Sequence, residues 1–85
     1  MDTHAAIVDE IAAHLAREAG VQRESITERT DLVASGLLDS FGILDLIMHI
    51  ETTCGIRFDP VELTTDAART VGGLARLAAV HRGKD

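Results

Sequence analysis

Aliphatic residues recur at helical spacing in three segments of this chain, and that pattern constrains the fold more than any other feature. The segments are residues 3–19, 40–54 and 71–82, and no part of the chain shows the alternating pattern of a strand. The positions predicted to face the core are Ile7, Val8, Ile11, Leu15, Ala19, Ile43, Leu46, Ile47, Ile50, Cys54, Val71, Leu74, Leu77 and Ala78. Because the 85 residues include two Phe but no Tyr or Trp, the core is expected to be aliphatic, as suits helices packing on helices.

The boundaries of these helices carry capping signals. Thr3, Ser40 and Thr70 stand at the starts and are candidate N-caps, while Gly20 and Gly55 are expected to end the first two helices. Gly72 and Gly73 follow Thr70 directly, and because each costs about 1 kcal/mol relative to Ala in a helix, we expect a soft start to the final helix.

Residues 20–39 lack periodicity and are predicted to form a long loop between the first two helices, helix I (residues 3–19) and helix II (residues 40–54). Its apolar residues, Val21, Ile26, Leu32 and Leu37, are expected to anchor it in the core. Residues 60–69 are predicted to form a short helix or turn. The prediction is therefore an all-α protein, a small three- to four-helix bundle in which residues 1–85 make a single domain.

Composition narrows the possible functions. The net charge of −6 argues against nucleic acid, since phosphate binding needs clustered Lys and Arg. The single Cys54 cannot form an internal disulfide, and neither a signal peptide nor an apolar run of about 20 residues is present, so we expect a soluble, cytoplasmic protein. The four histidines include no i, i+4 pair, which favours scattered surface histidines over a metal site.

Two features stand out around helix II. Residues 31–66 contain seven acids and one base, Arg57, and so account for all of the net charge. This segment is either a solvated acidic surface or a docking face for basic partners. Phe41, Leu44 and Met48 form a second apolar stripe, apart from the core arc of helix II. The stripe either contacts another helix of the domain or is an exposed surface for a partner.

Ser40 could serve as a helix cap, a nucleophile or a point of attachment. A nucleophilic serine needs a base within hydrogen-bond reach, and His49 lies nine residues further along the same helix, about 13 Å at 1.5 Å per residue. The nucleophile-elbow pattern G-x-S-x-G is half met, because Leu38 occupies the position of the first Gly, and no strand precedes it. A hydrolase is therefore disfavoured, whereas a cap is compatible with attachment.

The stretch "DLVASGLLDSFGILDLIMHIETTCGIRFDP", residues 31–60, resembles the central region of an acyl or peptidyl carrier protein. In that family an Asp-Ser pair opens helix II, and "DPVELTTDAARTVGGLARLA", residues 59–78, resembles the family's short third helix and apolar last helix. The resemblance implies that Ser40 carries a covalent 4′-phosphopantetheine arm derived from coenzyme A. It also implies a partner-recognition face consisting of Asp39, Phe41, Leu44, Asp45 and Met48. Gly42 departs from the family, which often has an acid there, and Thr52 and Thr53 replace acids common in fatty-acid carriers.

The same resemblance implies a non-catalytic carrier that holds acyl or aminoacyl intermediates as thioesters on the arm. Its expected partners are a phosphopantetheinyl transferase using Mg²⁺, a loading ligase or acyltransferase, and downstream synthase or modifying enzymes. The lower acidity, with "GLLDS" and "DPVELT", favours a free-standing carrier of a specialised or aminoacyl pathway, such as polyketide or nonribosomal peptide biosynthesis. The carrier is expected to be a monomer. The competing hypothesis is an unmodified acidic interaction module with the same fold.

Overall fold

The computed structural model describes residues 2–83, and in this range the chain forms three α-helices. Helix α1 spans Thr3–Ala19, α2 spans Ser40–Cys54 and α3 spans Val71–Arg82. Single turns of 3₁₀-helix occupy Arg23–Ser25, Glu62–Thr64 and Asp66–Arg69. Within the same range no strand forms, and the one ladder-like contact is an isolated bridge between Asp31 and Thr70. The prediction of a small all-α bundle with a long loop between its first two helices is confirmed.

The core lies between α1 and α3, with α2 packed against both. It is aliphatic except for Phe58, and its buried apolar members are Ile7, Ile11, Ala12, Leu15, Ile26, Leu32, Leu46, Ile50, Phe58, Val71, Leu74, Ala75 and Ala78. Two of these, Ile26 and Leu32, come from the long loop, and its Val21 and Leu37 pack half-buried against the same cluster. The loop is therefore anchored where its apolar residues predicted.

Two predicted N-caps are displaced by one residue. Asp39, not Ser40, caps α2: its backbone is extended and its Oδ1 accepts a hydrogen bond from the Gly42 N–H at 2.7 Å. Asp caps a helix as well as Ser does, so the adjacent pair was ambiguous in sequence. Asp2 takes the cap position of α1, without a side-chain cap hydrogen bond, and Thr3 is the first helical residue. The cap by Thr70 is confirmed, since its Oγ1 accepts from the Gly73 N–H at 3.0 Å.

The start of α3 is tightly packed. The N–H groups of Val71 and Gly72 donate to the carbonyl oxygens of Thr30 and Glu28, at 3.0 and 2.9 Å. Both glycines of this turn are buried, and a Cβ at Gly73 would lie 1.8 Å from the Ala67 carbonyl oxygen. Close approach of the backbone therefore explains the glycines, a reason that helix propensity alone did not provide.

No helix in residues 2–83 combines the length and the apolar character needed to cross a membrane. The helices of the bundle instead have one buried and one exposed face.

Helices α1 and α2 both end at glycines in the left-handed conformation, Gly20 (φ 69°) and Gly55 (φ 67°), as the sequence predicted. The sharp stop at Gly20 turns the chain into the long loop that leads to Ser40.

Candidate functional site

Ser40 is the exposed first residue of α2. Asp39 holds the start of this helix twice: its side chain accepts from the Gly42 N–H, and its carbonyl oxygen accepts from the Ile43 N–H at 3.0 Å. A helix N-terminus carries a partial positive charge that favours an adjacent anion such as a phosphate. The hydroxyl of Ser40 is thus presented to solvent at a firmly capped, electropositive helix end.

The loop before Ser40 is held by Asp31. Its Oδ1 accepts from the N–H groups of Val33 and Ala34 at 2.8 and 2.7 Å, and Arg69 donates to its Oδ2 at 3.3 Å. The hydrogen bonds from Ala34 and Val33, with a smaller contribution from the charge of Arg69, lower the pKa of the Asp31 carboxyl. An additional bond from the Leu32 N–H to the Arg69 carbonyl oxygen ties this loop to the segment before α3. The chain therefore approaches Ser40 along a fixed path.

The histidines are engaged away from Ser40. His4 hydrogen-bonds the Gly72 carbonyl oxygen at 3.1 Å, His49 bonds Glu10 at 3.1 Å, and His81 bonds Glu62. The fourth, His14, is buried within the bundle. A nucleophilic Ser40 would need a base, and the histidines in residues 2–83 are either hydrogen-bonded elsewhere or buried, which disfavours this interpretation.

The second apolar stripe of α2 is exposed. Phe41, Leu44 and Met48 retain 82%, 56% and 58% of their surface, whereas Leu46 and Ile50 are fully buried on the core arc. The other predicted core residues of this helix, Ile43, Ile47 and Cys54, are half-buried. Of the two interpretations of the stripe, burial against another helix of the same domain is excluded by this exposure.

Cys54 packs at the edge of the core, as a small hydrophobe would. Burial raises the pKa of its thiol, an effect only partly offset by the nearby Arg82. A thiol with a raised pKa is less often ionised and so is a poorer nucleophile and metal ligand.

The acidic segment around α2 is partly neutralised in three dimensions. Arg69, just outside residues 31–66, contacts Asp31 and lies 3.9 Å from Asp66. Glu51 accepts from the Phe58 N–H at 2.9 Å, and Glu62 accepts from His81. Burial acts to raise the pKa of Glu62, but hydrogen bonds from His81 and the Asp59 N–H outweigh it and lower the pKa. Several of the seven acids therefore serve the fold.

Asp45 occupies the side of α2 that faces α1. Its carboxylate is 63% exposed, yet its Oδ2 lies 3.5 Å from His14 Nε2. Asp45 is therefore the acid of the predicted recognition face that is both accessible and close to a second ionisable group. Asp39, the other acid predicted for that face, is also exposed, but one of its carboxylate oxygens accepts the hydrogen bond that caps α2.

His14 contradicts the prediction of scattered surface histidines, because its side chain is buried between α1 and α2 and stacks on His49 with ring centroids 4.5 Å apart. The signal was present in the sequence. His14 stands three residues after Ile11 and seven after Ile7, so helical geometry directs it towards the core face.

A family model described as "phosphopantetheine attachment site" matches residues 9–78, which is most of the chain. No match was found among curated proteins. Proteins of this kind carry 4′-phosphopantetheine covalently bound through its phosphate, and an exposed hydroxyl at a capped helix N-terminus fits such a group. The arm supplies a terminal thiol on which acyl groups form thioesters. With the helical bundle and the extent of the match, the chain belongs to the phosphopantetheine-attachment family of acyl and peptidyl carrier proteins.

Proposed function

We propose that this protein is a free-standing carrier that holds acyl or aminoacyl intermediates on a 4′-phosphopantetheine arm attached to Ser40. The observation that carries the proposal is the exposure of Ser40 at the capped start of α2, inside the matched residues 9–78. We further propose that residues 1–85 act as a single, monomeric, cytoplasmic carrier domain.

The other two serines of the chain are less suited to attachment. Ser25 donates its hydroxyl hydrogen to the Gln22 carbonyl oxygen at 2.7 Å, within a 3₁₀ turn. Ser35 Oγ accepts from the Leu37 N–H at 3.3 Å, within the loop. Ser40 alone among the three stands at the start of an α-helix, where the dipole favours a phosphodiester.

Formation of the arm needs chemistry that this chain does not supply. The Ser40 oxygen bonds to the phosphorus of the pantetheine phosphate, the pyrophosphate bond of coenzyme A breaks, and the nucleotide portion leaves. The hydroxyl proton must pass to a base, whereas His4, His49 and His81 are hydrogen-bonded elsewhere and His14 is buried. A separate, Mg²⁺-dependent transferase is therefore the proposed source of that base, and the carrier itself is non-catalytic.

We propose that partner enzymes bind the surface next to Ser40. Phe41, Leu44 and Met48 give it exposed apolar anchors, and Asp45 gives it an accessible charge. Central apolar contacts supply most of the binding energy in protein interfaces, while charges guide the encounter. The role proposed for Asp39 is different, since it fixes the helix start that presents the hydroxyl.

The proposed partners are the transferase, a loading ligase or acyltransferase, and the enzymes that use the loaded arm. The features that support a specialised pathway, such as polyketide or nonribosomal peptide biosynthesis, are Gly42, Thr52 and Thr53 at positions that are often acidic in fatty-acid carriers. The loading enzyme determines the cargo, because the arm itself is the same for every acyl group.

Intact-mass spectrometry tests the attachment site. Incubation with coenzyme A, Mg²⁺ and a broad-specificity transferase should add the mass of one arm to the wild type and to Ser35→Ala, the matched control. Ser40→Ala should gain no mass while keeping its helical circular dichroism. An undiminished mass increase in Ser40→Ala would refute the proposal.

The exposed stripe is equally compatible with an unmodified interaction module, the second candidate function. This alternative predicts that the wild type gains no arm with any transferase but still binds a basic partner. The same mass measurement therefore separates the two functions.

A further inference from the structure

Three side chains with metal-binding atoms meet where α1 packs on α2. They are His14 and Glu18 from α1 and Asp45 from α2, and their nearest ligand atoms all lie within 4.8 Å of one another. His14 Nε2 is 3.5 Å from Asp45 Oδ2 and 3.9 Å from Glu18 Oε1. Asp45 lies five residues after Ser40 along α2, and the proposed recognition of partners uses its charge but involves neither His14 nor Glu18.

His14 is the unusual member of this group. Its residue surface is 6% exposed, and its Nε2 has no hydrogen-bond partner among residues 2–83. Leaving a buried polar atom unsatisfied costs about 1–3 kcal/mol, so buried polar groups are nearly always paired with a protein group, a water or an ion. The unpaired nitrogen faces the carboxylates of Glu18 and Asp45 rather than apolar side chains. A cation could therefore bind the nitrogen and both carboxylates at once.

We propose that His14, Glu18 and Asp45 bind one divalent transition-metal ion of the zinc type. Zinc takes imidazole nitrogen at about 2.0–2.1 Å and carboxylate oxygen at about 2.0–2.2 Å, which places tetrahedral ligand atoms about 3.3 Å apart. The two observed separations from Nε2 exceed that spacing by less than 1 Å. Mixed nitrogen and oxygen ligands favour zinc over Mg²⁺ and Ca²⁺, which prefer oxygen alone.

The surroundings allow the site to close on an ion. The imidazole of His14 is held by burial and by stacking on His49, whose own Nε2 is bound to Glu10. The side chains of Glu18 and Asp45 are 53% and 63% exposed and can rotate onto the metal. Because both carboxylates are exposed, water can reach the ion and complete its coordination. A bound ion would join α1 to α2 through a link that the apolar core does not provide.

Isothermal titration of tag-free full-length protein with ZnCl₂ tests the site. We expect one equivalent to bind, and Glu18→Gln or Asp45→Asn to weaken the affinity at least about 10-fold, because even the outer partners of metal ligands are worth about 10–100-fold. Asp9→Asn is the matched control: it alters a carboxylate of the same helix that is bonded to Arg23 instead, and it should leave the affinity unchanged.

A second measurement identifies the nitrogen. In ¹⁵N-labelled wild type, ZnCl₂ should shift the His14 Nε2 resonance, and the melting temperature should rise with zinc concentration. Replacement of buried His14 risks unfolding the bundle, so the exposed carboxylate variants carry the test. The proposal is overturned if MgCl₂ binds as tightly as ZnCl₂, if Glu18→Gln and Asp45→Asn both retain wild-type affinity, or if Asp9→Asn loses as much as they do.

Discussion

Replacing Gly73 by Ala should destabilise the protein even though it improves helix propensity. The new Cβ would lie 1.8 Å from the Ala67 carbonyl oxygen, 2.8 Å from its carbonyl carbon and 2.9 Å from Thr70 Oγ1. The obstructing atoms belong mainly to backbone, which cannot rotate aside, so α3 must move away from the turn at Asp66–Arg69. Such a shift would also disturb the Thr70 cap.

The expected magnitude follows from two opposing effects. Overpacking costs about 1–3 kcal/mol, and a clash with backbone belongs at the upper end of that range. Greater helix propensity returns about 1 kcal/mol. The net loss should be about 2 kcal/mol, equivalent to a fall in melting temperature of about 8–16 °C for a domain of this size.

Urea titration and thermal melting, both followed by circular dichroism, measure this loss. Gly83→Ala is the matched control at the other end of α3, since its φ is −74° and a Cβ there would meet no atom closer than 3.4 Å. We expect that variant to stay within about 0.5 kcal/mol of wild type. A Gly73→Ala protein as stable as the wild type, or more so, would show that the close approach does not exist.

Three further predictions concern α2 and the loop before it. In a urea titration, Met48→Ala should lower the free energy of unfolding by well under about 1 kcal/mol, because Met48 is exposed, and Ile50→Ala should lower it by about 2–5 kcal/mol, because Ile50 is fully buried. Equal losses of stability in the two variants would contradict the assignment of Met48 to a docking face. Asp45→Lys should slow arm transfer and weaken the dependence of its rate on ionic strength, measured in a stopped-flow or mass assay. A transfer rate that changes neither with this substitution nor with ionic strength would argue against electrostatic guidance. Asp31 has a folded-state pKa below its ordinary value of 3.8, so it stabilises the fold above that pH and loses the contribution as the pH falls further. Asp31→Asn should therefore be less stable than wild type at neutral pH, with a gap that narrows in acid; a constant gap would assign the effect to packing.

Much of the site could be read from local sequence. The helix that begins at Ser40, a second apolar stripe that includes Phe41 and Met48, and the core positions Leu46 and Ile50 all follow from a period of 3.6 residues, which depends only on neighbours along the chain. Periodicity left open whether that stripe meets another helix or solvent, and the packing of the bundle leaves it exposed. The cap was placed one residue late because Asp39 and Ser40 are both good caps, and the backbone geometry decides between them.

The distribution of free charge on the folded protein could be predicted less well from the sequence. Counting charges along the chain placed all of the net charge in residues 31–66, but Arg69 and His81 come back to Asp31 and Glu62 from beyond that segment. Charge attraction acts through space, so a linear count overstates the free charge wherever the fold returns a base to the acids.

Periodicity and glycine stops are local properties, and they were enough to predict an all-helical chain with Ser40 at the start of its second helix. The carrier family came from the resemblance around the Asp-Ser pair. The contacts that those helices make with one another could be seen in the folded structure alone. The fold places Gly73 against the Ala67 carbonyl and His14 beside Asp45, residues 31 positions apart in the chain. Neither contact leaves a trace in the neighbouring residues, since each depends on how two separate segments pack.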